Sequence, residues 1–341
     1  MLKQLSDKIG LAVLENEPLK NHTTFKIGGP ARFFVRVNNK QDLLKSLKAA
    51  HELHLPFLLL GGGSNVLIND KGFDGLVIKL EEGEIEIKNN ILKCFAGSNL
   101  SKTIREALKN NLSGLEFAAN IPGTVGGAVW GNAGAYGKGV GDFVSEVEVV
   151  KLNPESNDFI NLKIFSKEDC EFEYRSSIFK KNSDLIIAEI KFELIVNEKA
   201  AELFDAINKE WQERLAKQPL DLPSAGCAFK NITLKEDCFP RICGVAMTSE
   251  RKLAAKNSAL GAAGDLAQFA IHGKIPVGRL IESVGLKGKK IGGAVISDKH
   301  ANFIVNIDNA SAADVVGLIE LAKKEVKNKF GVELEQEIKI I

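Results

Sequence analysis

The sequence predicts an α+β protein of more than one domain, and three observations carry that prediction. Short amphipathic segments alternate with β-branched runs over the first two-thirds of the chain. A long helical segment from Glu202 to Lys217, with Phe204, Ile207, Trp211 and Leu215 on one face, separates that region from the C-terminal third. The 341 residues, of ordinary composition and 45% hydrophobic, suffice for two or three packed cores.

Taken in order, Leu43, Leu47 and Ala50 fall at helical spacing behind Gln41-Asp42, and Pro56 stops that helix before the strand Phe57-Leu58-Leu59-Leu60. Ile85, Ile87, Ile91 and Cys94 flank Asn89-Asn90, a pair that tolerates positive φ and suits a hairpin. Val144 to Leu152 and Leu185 to Val196 read as longer strands. Near the C-terminus, Ser311-x-x-Asp314 starts a helix as a capping box and Gly331 ends it, leaving a charged, strand-like tail from Val332 to Ile341. Strand alternation would put Glu333, Glu335 and Glu337 on one face.

Charge narrows the function. Lys and Arg total 45 against 44 for Asp and Glu, so no net field would hold nucleic acid or an anionic membrane, and an anionic partner must be met locally. A run of about 18 apolar residues, the length of a membrane helix, is absent, and the N-terminus lacks a secretory h-region; the expected location is the cytoplasm. Cys94, Cys170, Cys227, Cys238 and Cys243 are odd in number and irregularly spaced, which signals neither a disulfide framework nor a metal site. Reduced thiols, most of them buried, are expected.

Two glycine-rich loops stand out, Leu60-Gly61-Gly62-Gly63-Ser64-Asn65-Val66-Leu67 and the stretch from Ile121-Pro122-Gly123-Thr124 to Gly137. Without Cβ atoms, successive backbone N–H groups can surround an anion, and a neutral loop then holds a pyrophosphate. The alternative is that the glycines make tight turns. Neither loop has the spacing of the Rossmann fingerprint or the P-loop.

These loops, with Asn21-His22-Thr23-Thr24-Phe25-Lys26-Ile27-Gly28-Gly29, Tyr174-Arg175-Ser176-Ser177-Ile178-Phe179-Lys180, Pro223-Ser224-Ala225-Gly226-Cys227-Ala228-Phe229-Lys230-Asn231, His300-Ala301-Asn302-Phe303 and Gly331-Val332-Glu333-Leu334-Glu335-Gln336-Glu337, resemble in sequence and order the UDP-N-acetylenolpyruvoylglucosamine reductase (MurB) family. The resemblance spans nearly the whole chain. It implies an FAD-binding domain of the vanillyl-alcohol oxidase (PCMH) type over residues 1–198. An α/β substrate-binding domain over 199–341 comes next, with an insertion at about 232–274. It also implies NADPH-dependent reduction of UDP-N-acetylglucosamine-enolpyruvate to UDP-N-acetylmuramate by a monomer or weak oligomer. FAD would be bound non-covalently by Thr24, Gly61, Gly62, Gly63, Ser64 and Asn65 and by Ile121, Pro122, Gly123, Thr124, Gly126, Gly127, Asn132, Ala133 and Gly134.

By the same resemblance, Arg175 stabilises a substrate carboxylate as it becomes enolate-like, and Glu337 polarises the substrate as an acid. Cys227 stands where the family usually has Ser, as donor of a proton to carbon. A thiol of reference pKa about 8.5 remains mostly protonated near neutrality and gives up its proton more readily than a hydroxyl. Tyr174, Arg214, Lys217, Lys230 and Asn231 are expected against the substrate, although the basic residues also read as solvated helix ends.

Two departures stand out. Asn120 replaces the usual Gly before Ile-Pro-Gly, and the insertion exceeds the family's usual connection, with an Ala-rich stretch, Leu253 to Ala270, that favours helix. A lid, an oligomer contact and a decoration are all open for it. The short link from Phe179 to Leu185 resembles the subgroup without a tyrosine-bearing substrate loop.

Overall fold

The computed structural model describes residues 1–153, 158–233, 266, 268–271 and 273–341. The chain forms two compact units that are not contiguous in sequence. The first comprises Met1–His22, Gly29–Ser64 and Lys71–Arg214; the second comprises Thr23–Gly28, Asn65–Asp70 and Leu215–Ile341.

The first unit is built on two larger sheets. In one, Leu14–Pro18 pairs antiparallel with Pro30–Val37, and Phe73–Leu80 then lies parallel between Pro30–Val37 and Phe57–Leu60. The crossover is the helix Lys40–Glu52, begun by Asn39, whose side chain accepts from the Asp42 N–H at 2.9 Å. The second sheet is antiparallel throughout, in the order Ile160–Ser166, Val144–Leu152, Leu185–Glu193, Ile91–Phe95, Ile85–Lys88. Asn89 takes φ +55 in its hairpin, the conformation its side chain tolerates. Phe33, Val35, Leu43, Leu47, Leu76, Ile78, Leu92, Ile104, Val147 and Ile190 belong to one buried cluster. Each such side chain stabilises the fold by about 1.5–3 kcal/mol relative to exposure.

The second unit is built on an antiparallel sheet, Ser224–Cys227, Phe303–Asn306, Ala294–Ile296, Lys290–Ile291. The helix Ala312–Phe330 lies against it, burying Val315, Leu318, Ile319, Ala322, Val326 and Phe330. Its capping box is present, Ser311 accepting from the Asp314 N–H at 3.1 Å and Asp314 from the Ser311 N–H at 2.9 Å, and Gly331 ends it at φ +67. Phe25 and Leu67, from the two early segments, are wholly buried in this second core. Asn306 donates to the Phe25 carbonyl at 3.2 Å, and Val66–Leu67 pairs parallel with Lys339–Ile340.

Two expectations change. The division at 198/199 precedes the helix Leu203–Lys217, but residues through Arg214 belong with the first unit because Ile207 is buried in its core. Asn120 there donates to the Ile207 carbonyl at 2.9 Å and accepts from Arg214 on its own carbonyl at 2.7 Å. Asn120 does this without a positive φ. The tail is no continuous strand: before Lys339–Ile340 its one bridge among the described residues joins Gln336 to Phe229, just past the strand Ser224–Cys227. Glu333 and Glu335 are exposed and ion-paired with Lys327 and Lys230, whereas Glu337 is half-buried. The insertion is closed at its base by Ile232–Thr233 pairing with Lys274–Ile275. The helix expected over Leu253 to Ala270 lies, but for its last residues, outside the described ones.

Candidate functional site

In the first unit the two glycine loops meet. A Cβ on Gly61 would lie 2.6 Å from Thr124 Oγ1 and one on Gly62 2.6 Å from Gly123 Cα, so these two glycines let one loop lie on the other. Ser64 ties them together, its hydroxyl donating to the Pro122 carbonyl at 2.8 Å. With its proton so used, Ser64 is left to accept from a ligand N–H or hydroxyl. Thr124 caps the short helix Val125–Trp130 by accepting from the Gly127 N–H at 3.2 Å. Gly126 presses on the turn just after the strand Ile91–Phe95, its N–H donating to the Ala96 carbonyl at 2.8 Å. Gly123, by contrast, has φ +136 and would meet only the Ser64 hydroxyl. The glycines thus serve both loop-on-loop packing and a left-handed turn, and the two sequence readings are not exclusive.

Neither loop carries an acidic residue. Lys79 reaches the first loop from the strand Phe73–Leu80 and donates to the Gly61 carbonyl. Burial drives its pKa down to about 8, against the pull of Glu81. Beside the second loop the buried Ser98 hydroxyl has no hydrogen-bond partner among the described residues. A glycine cradle free of carboxylates, with a lysine at its base and an unused buried hydroxyl, fits the pyrophosphate of a dinucleotide such as FAD.

Tyr174 and Arg175 form the tip of a tight turn closed by reciprocal bonds between Glu173 and Ser176, at 3.1 and 3.2 Å. Arg175 takes φ +56 at the position where a turn of this shape prefers glycine. Non-glycine residues held there cost on the order of 1–3 kcal/mol and persist where surrounding contacts fix them. Here Lys180 donates to the Arg175 carbonyl at 3.0 Å, Asn132 to the Glu173 carbonyl at 2.9 Å, and Ser177 to the Trp130 carbonyl at 2.7 Å. Asn132 also accepts from the Gly141 N–H at 3.0 Å, so most of its amide is spent joining the second glycine loop to the arginine turn. Tyr174 is exposed and Arg175 half-buried.

The second unit gathers the other candidates. Cys227 ends the strand Ser224–Cys227 opposite Phe303, after a register shift from the Ser224–Val305 pair, and Gly226 takes φ +77 in that shift. The Glu337 N–H donates to the Ala228 carbonyl at 2.8 Å and the Lys230 N–H to the Glu335 carbonyl at 2.9 Å, which places the segments bearing Cys227 and Glu337 side by side. Lys230 also pairs with the Glu335 carboxylate, and Asn231 accepts from the Val277 N–H at 3.2 Å. Asn65 donates to the Glu337 carbonyl at 3.2 Å, and Thr24 to the Ser224 carbonyl at 2.7 Å. Arg214 is engaged by Asn120 in the first unit, and Lys217 is exposed at the end of its helix. Among the described cysteines, Cys94 and Cys170 are buried with thiol pKa values pushed to about 12 by burial, while Cys227 is half-exposed. Two residues outside the expected sites bear on these arrangements: in the first unit Lys79, the lone cation of its strand, and in the second Asn302, quoted above only within a motif, a buried amide beside the run Phe303–Asn306. No metal-binding group and no helix long and apolar enough to cross a membrane occurs among the described residues.

Comparison with known proteins places this geometry. The family model described as FAD binding domain matches residues 31–155, and that of the UDP-N-acetylenolpyruvoylglucosamine reductase C-terminal domain matches residues 218–341. The chain is 38% identical over 330 residues to the UDP-N-acetylenolpyruvoylglucosamine reductase of Geobacillus kaustophilus, covering 96% of this chain and 93% of that protein. It is also 38% identical over 328 residues to that of Caldanaerobacter subterraneus, covering 96% and 92%. The crystal structure of the reductase from Thermus caldophilus matches with TM-score 0.68 at 28% identity, over 97% of this chain and 98% of that one. Fold and loops together define an FAD-dependent oxidoreductase. Within that class, the chain belongs to the UDP-N-acetylenolpyruvoylglucosamine reductase family.

Proposed function

We propose that this protein reduces UDP-N-acetylglucosamine-enolpyruvate to UDP-N-acetylmuramate at the expense of NADPH, a step in making peptidoglycan precursors in the cytoplasm. The observation that carries this reading is the pairing of the Cys227 and Glu337 segments through the 2.8 Å bond from the Glu337 N–H to the Ala228 carbonyl. It puts the residues assigned as proton donor and polarising carboxyl group on adjacent backbone, and the near-full-length likeness to the reductases supports the reading. FAD, when bound by the glycine loops, would supply the redox chemistry, taking hydride from NADPH and giving it to one carbon of the enol ether.

The chain's own residues handle charge and protons. Arg175, a planar permanent cation on a fixed turn, binds the substrate carboxylate and stabilises the negative charge that grows there when hydride arrives. Glu337 is assigned to polarise the substrate as an acid. Cys227 gives its thiol proton to the neighbouring carbon, completing addition across the double bond, and the thiolate regains a proton from water. Tyr174, Lys230, Asn231, Arg214 and Lys217 are assigned to the nucleotide-sugar. The protein acts as a monomer or weak oligomer without nucleic acid or membrane.

The test is anaerobic. The flavin is reduced with NADPH, the enolpyruvyl compound is added, and absorbance near 450 nm is followed with product mass. Rapid reoxidation with a product two hydrogens heavier is expected. A flavin that stays reduced with substrate but reoxidises in air would leave an oxidase, and no turnover at all a binding protein.

A further inference from the structure

Asn302 sits at the junction of the Cys227 strand and the C-terminal segment, 2% exposed. Its carboxamide treats Phe229 as a neighbouring strand would: Oδ1 accepts from the Phe229 N–H at 3.0 Å and Nδ2 donates to the Phe229 carbonyl at 2.8 Å. Its own carbonyl accepts from the Ala228 N–H at 2.7 Å. Three bonds therefore fall on the two residues after Cys227. On the opposite side those residues meet the tail, through Glu337 N–H to Ala228 carbonyl and Lys230 N–H to Glu335 carbonyl. The stretch Ala228–Lys230 is thus held between one side-chain amide and the segment bearing Glu337.

The regular ladder cannot do this work. Pairing between Ser224–Cys227 and Phe303–Asn306 slips between Ser224 and Cys227, and Cys227 opposite Phe303 is its last pair. Beyond it Ala228 and Phe229 are buried, so their backbone groups need partners; Asn302 supplies three of the four, and the Glu337 N–H takes the Ala228 carbonyl. Asn302 is itself oriented, since its N–H donates to His300 Nδ1 at 3.2 Å, which requires that nitrogen to be unprotonated. Burial lowers the His300 pKa and favours this neutral ring.

We infer that Asn302 is a positioning residue for the reaction: it fixes the register of Cys227 against Glu337 and thereby aims the thiol. The inference rests on the reading of Cys227 as proton donor. A displacement of about 1 Å at such a group costs on the order of 100-fold in rate.

The holoenzyme test compares Asn302→Asp, which keeps size but removes the donor to Phe229, with wild type and Cys227→Ala. Flavin content and reduction by NADPH should stay at wild-type values in all three, while reoxidation by the enolpyruvyl substrate slows about 100-fold in Asn302→Asp. In parallel, iodoacetamide alkylation of Cys227, read by peptide mass spectrometry across pH, should show a displaced profile in Asn302→Asp. A residue that merely supports the fold would instead lose flavin and thermal stability with the thiol profile unmoved. Wild-type reoxidation and an unchanged profile in Asn302→Asp, with Cys227→Ala slow, would overturn the inference and leave the reading of Cys227 standing. A fast Cys227→Ala would sink that reading, and with it the assignment of Asn302 to the reaction. Should Asn302→Asp not fold, Asn302→Gln moves the same bonds without deleting them and is judged by the same outcomes.

Discussion

Arg175 and Lys79 are both held at a cost, and both are tied to the proposed chemistry. Replacing Arg175 by Lys keeps the charge but removes the planar fork. Reoxidation of the flavin by substrate should fall by about 100- to 1,000-fold, with reduction by NADPH unchanged, in stopped-flow absorbance. Lys79 is a half-buried cation whose pKa falls from 10.5 to about 8. Between those values the unfolded chain binds the proton that the folded one has lost, so stability rises with pH across that window and charged Lys79 is destabilising below it. Lys79→Met should therefore raise the urea midpoint at pH 7, corresponding to an unfolding free energy greater by on the order of 1 kcal/mol, after discounting for solvent and the lost bond to Gly61. That advantage should fade between pH 8 and 10.5, while retention of FAD weakens. Arg175 was legible in sequence only through a motif. Its positive φ was not, because nothing local in Tyr-Arg-Ser marks a position that glycine would prefer.

Elements whose signals are local were legible. The helix Ala312–Phe330 is one, because a capping box spans three residues and a left-handed Gly331 needs no distant partner. Ser311→Ala should lower stability by about 1 kcal/mol in a denaturant titration. The Asp314 carboxyl is held below the usual range by the Ser311 backbone N–H first, and also by the Gly293 N–H. Its contribution is present above the ordinary carboxylate pKa and is lost as pH falls through its lowered value, so the penalty of Ser311→Ala should shrink in acid. The tail misleads for the opposite reason. Alternating charge from Val332 to Glu337 looks like a strand in any window, but its partner, Phe229, lies about a hundred residues earlier and accepts only one bridge. Asn302 was legible only as a member of a motif, because a side chain posing as a strand leaves no periodic trace.

At the scale of the whole chain, two cores were legible from length and the intervening helix, but their membership was not. Phe25 and Leu67 belong to the second core although they precede most of the first. No composition shift marks them, since a buried Phe looks the same in either core. A fragment of residues 215–341 lacks both, along with the strand partner of Lys339–Ile340. It should give poorly dispersed amide resonances, and an equimolar fragment spanning residues 1–214 should restore dispersion. The parallel pair between Val66–Leu67 and Lys339–Ile340 also sets a schedule for biosynthesis. Residues 65–70 leave the ribosome early, yet their partner is made only after the rest of the second unit. During that interval Leu67 and Phe25 are sticky, waiting segments in a nascent chain, and holdase chaperones would find them there rather than in the finished enzyme.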